Sequence, residues 1–231
     1  MRLDKYIKHA LCISRSGAVS YIKNKDVLVN NEAKRNDYEV KDGDIVTYKG
    51  RVVKYKEYYY YMLNKPAGYI CSLSNTEGMP VTSIIKERND LVPIGRLDKD
   101  TEGLLILTND GNFVHHLTSP KHDIEKGYYV KSEKEVTSSD IENIKKGVTI
   151  KVDGNDYLCK GARAIGLSAD ESIIYIKEGK FHQVKEMYKA IGNKVLYLKR
   201  LSIGNLKLDE KLNIGKYREL TNEEVEDLKG C

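Results

Sequence analysis

The residues best suited to chemistry lie in one short stretch that places a carboxylate between charged and apolar neighbours. Residues 95–111 read G-R-L-D-K-D-T-E-G-L-L-I-L-T-N-D-G, with Asp98 at the start of a charged loop. The apolar run from Leu104 to Leu107 predicts a buried strand directly after that loop. Catalytic groups often lie on loops that a rigid scaffold anchors. An aspartate at such a place is more often a turn former, yet Asp98 is the first candidate for a catalytic carboxylate.

A second stretch offers a cation to partner that carboxylate. Residues 178–185 read E-G-K-F-H-Q-V-K and lead into an amphipathic helix that begins near Phe181. A carboxylate in a closed pocket is driven towards its neutral form by desolvation, whereas a nearby cation favours the charged form. Lys185 is the candidate for that cation, although a solvated helix lysine is the more ordinary interpretation of this residue taken alone.

The full pattern around Asp98 resembles the active-site signature of the RsuA-type pseudouridine synthases, which modify ribosomal RNA. Every constrained position of that signature is filled, by Gly95-Arg96-Leu97-Asp98, Thr101, Gly103, the four apolar residues and Thr108-Asn109. Asn64-Lys65-Pro66 with a following glycine resembles the first motif of the same family, and residues 178–185 resemble its third motif. The resemblance covers nearly the whole chain, with gaps mainly at residues 49–57 and 137–154.

The resemblance implies roles for particular side chains. It makes Asp98 the catalytic carboxylate, Lys185 the basic residue that pairs with it, and Tyr128 the tyrosine that stacks beneath the uracil. Tyr129 is one step along the same predicted strand and would face the other side of the sheet, so a shift in register would exchange the two. A stacked uridine must be flipped out, and Arg96 is the candidate to fill the vacated space or hold the flanking phosphate. The remaining substrate-binding candidates are Asn64, Lys65, Leu97, His182, Gln183 and Val184.

The implied reaction needs little beyond a positioned carboxylate. Isomerising uridine to pseudouridine cuts the bond between the base nitrogen and C1′, turns the base, and bonds its C5 to C1′. No redox change or external group is involved, so we expect no cofactor and no metal. An ionised carboxylate near C1′ is required, as in glycosidases. Whether Asp98 attacks the sugar or abstracts a sugar proton to give a glycal is left open by the sequence.

The excess positive charge lies in the first quarter of the chain. Residues 1–56 hold 13 lysines and arginines against 7 acidic residues, a balance of +6, and the remainder holds 26 against 27, a balance of −1. Two amphipathic helices and a small hairpin are predicted here, and the pattern resembles the RNA-binding module first known from ribosomal small-subunit protein four. Asn31 departs from the glycine usual there but can adopt the same turn. The implied RNA contacts are Arg2, Lys5, Arg15, Ser16, Lys23 and Lys25.

The predicted organisation is a two-domain α+β protein. Residues 1–56 form the RNA-binding module, with a linker from about residue 49, and residues 57–231 form the catalytic domain. Its strands and helices predict a mixed, mainly antiparallel sheet flanked by helices. Ser139 with Glu142, and Thr221 with Glu224, are predicted capping boxes at the starts of two helices. Residues 157–164 are predicted to form one strand.

The composition favours a cytoplasmic protein. No apolar run approaches the ~20 residues that a membrane span needs, and residues 1–5 lack the apolar segment of a secretory signal. The four cysteines lie far apart with no C-x-x-C pair, which predicts reduced thiols rather than disulfides or a metal site. We expect a monomer with ribosomal RNA as its partner and no association with membrane.

These observations predict an enzyme that isomerises a specific uridine of 16S rRNA. H-Q-V-K, the following K-A-I-G-N and the N-terminal module are most similar to the small-subunit enzyme of the family. The same chemistry on 23S rRNA is one alternative, and an RNA-binding assembly factor without turnover is another. A glycoside hydrolase is disfavoured, because a second carboxylate in a recognisable pairing is missing and the basic module would stay unexplained.

Overall fold

The structure is a computed structural model that describes residues 1–72 and 78–231. The chain forms two compact units. The first comprises residues 1–59 with residues 86–90, and the second comprises residues 60–85 with residues 91–231. Among the described residues, no helix has the length and apolar character to cross a membrane.

The first unit is built from two helices and a three-stranded antiparallel sheet. Its elements are α1 (Leu3–Ala10), α2 (Arg15–Lys23), β1 (Val27–Val29), β2 (Val46–Tyr48) and β3 (Arg51–Val52), with the strands in the order β1-β2-β3. Ser14 begins α2 as predicted, because its side chain accepts a hydrogen bond from the Gly17 amide at 3.1 Å. The apolar faces of the elements meet in a core of Leu3, Ile7, Ala18, Ile22, Val27, Val29 and Val46. β3 lies within the stretch that the sequence suggested as a linker.

The described residues of the second unit form the remaining strands and four helices. The strands are β4 (Tyr60–Lys65), β5 (Tyr69–Ile70), β6 (Met79–Pro80), β7 (Val92–Ile94), β8 (Glu102–Thr108), β9 (Lys126–Ser132), β10 (Thr149–Val152), β11 (Asn155–Leu158), β12 (Arg163–Gly166), β13 (Glu171–Ile176), β14 (Val195–Ile203), β15 (Leu206–Lys207) and β16 (Tyr217–Glu219). The helices are α3 (Gly111–Thr118), α4 (Ser138–Lys146), α5 (Gln183–Ala190) and α6 (Asn222–Lys229), with 3-10 turns at Val81–Ile84 and Pro120–His122.

One large sheet organises this unit. Its strands follow the order β12-β13-β9-β14-β8-β4-β16, with β7 beside β8 and β15 beside β14. β14 runs parallel to β8, while the other pairs in this sheet are antiparallel. The prediction of a mixed, mainly antiparallel sheet flanked by helices is therefore confirmed. β10 and β11 form a separate antiparallel hairpin.

The apolar run after the Asp98 loop forms an interior strand of the sheet, between β14 and β4. Leu104 to Leu107 in β8 are fully buried, as the run of four apolar residues predicted. Leu104 and Ile106 contact a cluster that includes Phe113 of α3 and Leu228 of α6. The loop that carries Asp98 is thus attached directly to the most deeply buried strand.

Two local predictions were wrong and one was confirmed. α4 begins two residues earlier than predicted, since Thr137 and Asp140, not Ser139 and Glu142, make the reciprocal capping bonds at 3.2 and 2.9 Å. Residues 157–164 form two strands rather than one, because the chain between them turns onto the end of α4, where the Ala162 amide donates to the Ile144 oxygen at 3.2 Å. The capping box of Thr221 and Glu224 is present at the start of α6.

Candidate active site

The Asp98 loop is held from beneath by a buried lysine. Lys65, the last residue of β4, is fully buried, and its Nζ donates to the backbone oxygens of Pro66, Asp98 and Thr101 at 3.1, 3.1 and 2.8 Å. Burial lowers the pKa of Lys65, while surrounding acidic groups oppose that change. One side chain therefore joins the end of β4 to both sides of the loop that presents Asp98.

A lysine from α5 contacts the Asp98 carboxylate. Lys185 Nζ lies 2.9 Å from Asp98 Oδ2 and 2.6 Å from Asp100 Oδ1. Burial acts to lower the pKa of Lys185, but the hydrogen bonds and charges of Asp100 and Asp98 together raise it. His182 Nε2 lies 3.5 Å from the other Asp98 oxygen. The carboxylate thus has a charged ammonium on one side and an imidazole on the other.

The segment before α5 is fixed by a glutamate. Glu178 accepts hydrogen bonds from the Tyr157 hydroxyl at 2.5 Å and from Gln183 Nε2 at 2.9 Å. His182 takes a left-handed backbone conformation, with φ of 50°, directly before the first residue of α5. The hairpin strand β11, which carries Tyr157, is therefore connected through Glu178 to the helix that presents Lys185.

A cavity of about 390 Å³ opens beside Asp98. Asp98, Arg96, Tyr128 and His182 all line it, so four of the sequence candidates face one space. Its described lining also includes Phe181, an exposed ring that stacks on His182 with centroids 3.8 Å apart. The volume exceeds that of a single pyrimidine ring, and the lining provides both a carboxylate and aromatic surfaces.

The register of β9 separates the two candidate tyrosines. Tyr128 is buried and lines the cavity, whereas Tyr129 lies on the opposite face of the sheet. The Tyr129 hydroxyl donates to Glu171 Oε1 at 2.6 Å, and this hydrogen bond raises the pKa of Tyr129 to about 12. Tyr128 is thus the tyrosine that faces the cavity.

Lys65 and Lys185 are not among the described residues that line the cavity, and neither are four other candidates. Asn64 donates from Nδ2 to the Leu212 oxygen at 2.7 Å, and the backbone amide of Leu97 donates to Cys71 Sγ at 3.4 Å. Val184 is buried in α5, and Gln183 is used in holding Glu178. These residues, with Lys65, support the loop and helix that surround Asp98.

Several side chains of the site were not identified from the sequence. Asp100 shares Lys185 with Asp98, and the alternation Asp98-x-Asp100 is the only local signal for it. Lys126 and Arg200 line the cavity on the same sheet face as Tyr128, since Arg200 is the β14 partner of Tyr128. Their positions depend on strand register, which has no local signature for an isolated lysine or arginine.

The basic residues of the first unit are arranged around a buried carboxylate. Asp4 accepts hydrogen bonds from Arg2 at 3.0 and 3.1 Å and from Arg15 at 3.1 and 3.2 Å. Both guanidinium groups remain substantially exposed. The other candidates for RNA contact, Lys5, Ser16, Lys23 and Lys25, are exposed on the same unit.

The chain resembles known proteins over its whole length. Residues 59–190 match a family model described as RNA pseudouridylate synthase, and residues 1–46 match the S4 domain. The chain is 40% identical to an uncharacterized RNA pseudouridine synthase of Aquifex aeolicus, with 99% of this chain and 96% of that protein covered. It is 38% identical to the ribosomal small subunit pseudouridine synthase A of Escherichia coli, with 97% and 98% covered. A crystal structure of a pseudouridylate synthase matches with a TM-score of 0.70 at 36% identity, covering 99% of each chain.

Proposed function

Because this chain belongs to the RNA pseudouridylate synthase family and carries an S4 domain, we propose that it isomerises one uridine of 16S rRNA with Asp98 as its catalytic carboxylate. Membership of the family makes the protein an isomerase that converts uridine in RNA to pseudouridine. Our proposal goes beyond family membership in three respects: the target RNA, the roles of the site residues, and the cellular compartment in which the enzyme acts.

The observation that carries the proposal is the ion pair between Lys185 and Asp98, the carboxylate that lines the cavity. Asp98 is about one fifth exposed and its Oδ2 lies 2.9 Å from the Lys185 ammonium. An adjacent cation favours the ionised carboxylate, which is the form that the reaction requires. Tyr128 lines the same cavity and provides a ring on which a flipped uracil can stack.

Asp98 acts at the sugar in either of two ways. As a nucleophile it bonds to C1′ while the C1′–N1 electron pair leaves with the base. As a base it removes the C2′ proton while the same pair leaves, which gives a glycal. In both routes Lys185 holds the carboxylate in position, and Arg96 at the mouth of the cavity contacts the flanking RNA. His182 contacts Asp98 from the other side.

The proposed substrate follows from the relatives and from the charge distribution. Relatives from Vibrio cholerae and Escherichia coli, at 38% identity, are named ribosomal small subunit pseudouridine synthase A. The first unit carries the excess of basic residues, which suits contacts with RNA phosphates. A ribosomal RNA substrate also implies action in the cytoplasm, and we propose that the enzyme works there as a monomer.

Mapping pseudouridine in ribosomal RNA tests both the substrate and the catalytic residue. RNA from cells with and without the gene is modified with carbodiimide and read by primer extension. We expect one small-subunit site to disappear, and to return with the wild-type gene or with Asp100→Asn but not with Asp98→Asn. Asp100→Asn is the matched control, because Asp100 also contacts Lys185.

Each alternative outcome of the mapping would correct one part of the proposed function. Loss of a 23S rRNA site would leave the chemistry in place and change the target. Restoration of the site by Asp98→Asn would remove Asp98 from the catalytic role. No lost site in either ribosomal RNA would contradict the ribosomal substrate.

A further inference from the structure

Two basic side chains stand next to Tyr128 on the cavity face of the sheet. Arg200 in β14 pairs with Tyr128 in β9, and Lys126 precedes Tyr128 by two residues. Side chains two apart on a strand, and side chains directly opposite on a neighbouring strand, share one face. Lys126, Tyr128 and Arg200 all line the cavity beside Asp98.

Arg200 is buried with part of its hydrogen-bonding capacity unused. The residue is 3% exposed, and its Nε donates to the Leu104 oxygen at 2.7 Å. Its Nη2 is buried and has no hydrogen-bond partner in residues 1–72 and 78–231. A buried donor without a partner costs free energy, so such a group in a native site calls for an explanation. One explanation is that a bound ligand supplies the missing hydrogen-bond acceptor.

Lys126 is a second cation, and few neighbouring groups offset its positive charge. Its Nζ donates to the Lys177 oxygen at 3.3 Å. Burial lowers the pKa of Lys126, and the positive charge of Arg200 lowers it further. Asp123 opposes this change, but its carboxylate is already bonded to Lys160 at 3.1 Å. Two adjacent cations thus line the cavity, and among residues 1–72 and 78–231 neither forms an ion pair with a carboxylate.

The charge of the cavity differs from that of the rest of its domain. Residues 57–231 have a balance of −1. The described lining of the cavity nevertheless carries six basic side chains, Arg96, Lys126, Lys160, Lys177, Lys180 and Arg200, against the carboxylates of Asp98, Asp123 and Glu178. Field lines concentrate in such a cleft, and the space favours an anion.

The isomerisation creates an anion in this space. When the C1′–N1 bond breaks, its electron pair stays on the base, and the detached base is a uracilate whose charge spreads over N1 and both carbonyl oxygens. This holds whether Asp98 bonds to C1′ or takes the C2′ proton. C5 then bonds to C1′, while either the Asp98 ester bond breaks or C2′ regains its proton. Finally C5 loses a proton and N1 gains one, so charge and atoms balance.

We propose that Arg200 and Lys126 bind the detached uracilate through its carbonyl oxygens and stabilise its charge while the base turns over Tyr128. The inference rests on the proposed roles of Asp98 and Tyr128. Fixed cations aimed at charge that develops during a reaction contribute more than the same groups in water, because they need no reorganisation. A carbonyl oxygen of the bound base would supply an acceptor for the unused Nη2 donor of Arg200.

Binding of two free pyrimidines tests this directly. Barbiturate has the ring shape of uracil but is an anion at neutral pH, whereas uracil is neutral. By calorimetry on the full-length protein we expect wild type to bind barbiturate more tightly than uracil. Lys126→Met and Arg200→Met should each weaken barbiturate roughly tenfold or more, with uracil affected by about threefold at most. Arg200→Lys should retain part of the preference, because it keeps the charge.

The matched control is Lys199→Met. Lys199 is the neighbour of Arg200 on β14 and pairs with Tyr129 on the opposite face, so its removal should leave the barbiturate preference unchanged. Lys126→Met keeps the test decisive if Arg200→Met fails to fold. Equal wild-type affinity for barbiturate and uracil, or a preference that survives both methionine variants, would overturn the inference.

Measuring kcat and KM provides a second test. It also distinguishes failure of the proposed anion site from failure of the proposed function. Under saturating RNA, Lys126→Met should lower kcat at least tenfold with little change in KM, because the anion exists only after bond cleavage. Asp98→Asn should keep or strengthen the barbiturate preference. An active Asp98→Asn enzyme would therefore refute Asp98 as the catalytic residue. If wild type shows no preference for barbiturate over uracil, only the proposed anion site is refuted.

Discussion

Lys185 stands between two carboxylates in very different surroundings. The side chain of Asp98 is 21% exposed, whereas that of Asp100 is 74% exposed. An exposed ion pair contributes little, because water and salt screen it and ordering its side chains costs entropy. Asp100 therefore helps to orient Lys185, whereas Asp98 is the carboxylate that faces the cavity and that we propose to be catalytic.

This difference predicts the outcome of two isosteric substitutions. Asp98→Asn should reduce turnover below detection and change RNA affinity by less than about threefold, since phosphate contacts supply most of the affinity. Asp100→Asn should lower kcat by about threefold at most, as expected for an exposed pair. Single-turnover assays with filter binding measure both quantities. Comparable loss of RNA binding in Asp98→Asn would mean that Asp98 has a structural role.

Asp4 predicts a pH dependence for the first unit. The hydrogen bonds from Arg2, followed by those from Arg15, hold the pKa of Asp4 below its ordinary value of 3.8, although burial opposes them. A lowered folded-state pKa stabilises the unit above pH 3.8, and this stabilisation is lost as the pH falls through the folded-state value. Asp4→Asn should cost about 2 kcal/mol at neutral pH and lose less stability on acidification than wild type.

The pH prediction is measured by urea unfolding of both proteins from pH 7 to pH 3. Asp42→Asn is the control, because Asp42 is an exposed aspartate of the same unit. Parallel stability profiles for wild type and Asp4→Asn would show that the Asp4 pKa is not lowered by folding.

Individual residues were predictable from the sequence where a local motif marked them. Asp98 and Lys185 stand in recognisable stretches, and the structure places them 2.9 Å apart. Lys126 and Arg200 were missed, because only the pairing of β9 with β14 brings them together. Choosing between Tyr128 and Tyr129 likewise required the register, since adjacent residues on a strand face opposite sides.

At the scale of elements, the end of β4 acts as a support for the catalytic loop. Lys65 donates to two backbone oxygens of that loop, those of Asp98 and Thr101, and to the adjacent Pro66 oxygen, all within 3.1 Å. Replacing it with an apolar side chain would leave those oxygens buried without their donor, which typically costs 1–3 kcal/mol for one buried group.

Lys65→Met should therefore affect both stability and activity. We expect the free energy of unfolding to fall by about 3 kcal/mol and kcat to fall at least tenfold, because displacement of the loop misplaces Asp98. Lys99→Met is the matched control, since Lys99 is an exposed lysine of the same loop. Equal effects of the two substitutions on unfolding and turnover would contradict the supporting role of Lys65.

Element types were easier to predict than element boundaries. The buried β8, the helix α5 and the overall sheet class followed from apolar periodicity and turn residues. The start of α4 did not, because Thr137 with Asp140 and Ser139 with Glu142 both fit a capping box and only the folded chain selects one. The break between β11 and β12 depends on contact with α4, which the sequence of residues 157–164 does not reveal.

At the scale of the whole molecule, positive charge occurs in two different settings. The first unit carries a broad positive surface, whereas the second is close to neutral overall but has a basic cavity. Broad positive surfaces bind RNA by releasing counterions, so their contribution depends on salt. Charges in a partly buried cavity are screened much less by salt.

The division predicts a salt dependence that belongs to the first unit. Replacing Lys5, Lys23 and Lys25 together with glutamine should reduce the slope of log Kd against log salt by about 2, at roughly 0.7 for each lost phosphate contact. kcat at saturating RNA should stay unchanged. The control with equal charge replaces Lys207, Lys211 and Lys216, three exposed lysines of the second unit. Equal slopes for the two triple variants would contradict a separate RNA-binding role for the first unit.

The parallel pairing of β8 with β14 has a consequence for the order of events during translation. Gly103 pairs with Arg200, about a hundred residues later, and a Cβ at Gly103 would lie 2.2 Å from the Arg200 oxygen, so the two backbones meet closely. The cavity beside Asp98, which Arg200 of β14 helps to line, is therefore incomplete until β14 has left the ribosome. The helices and strands of the S4 domain emerge much earlier, and domains fold in that order. We expect a nascent chain to acquire the capacity to hold RNA well before it can modify it.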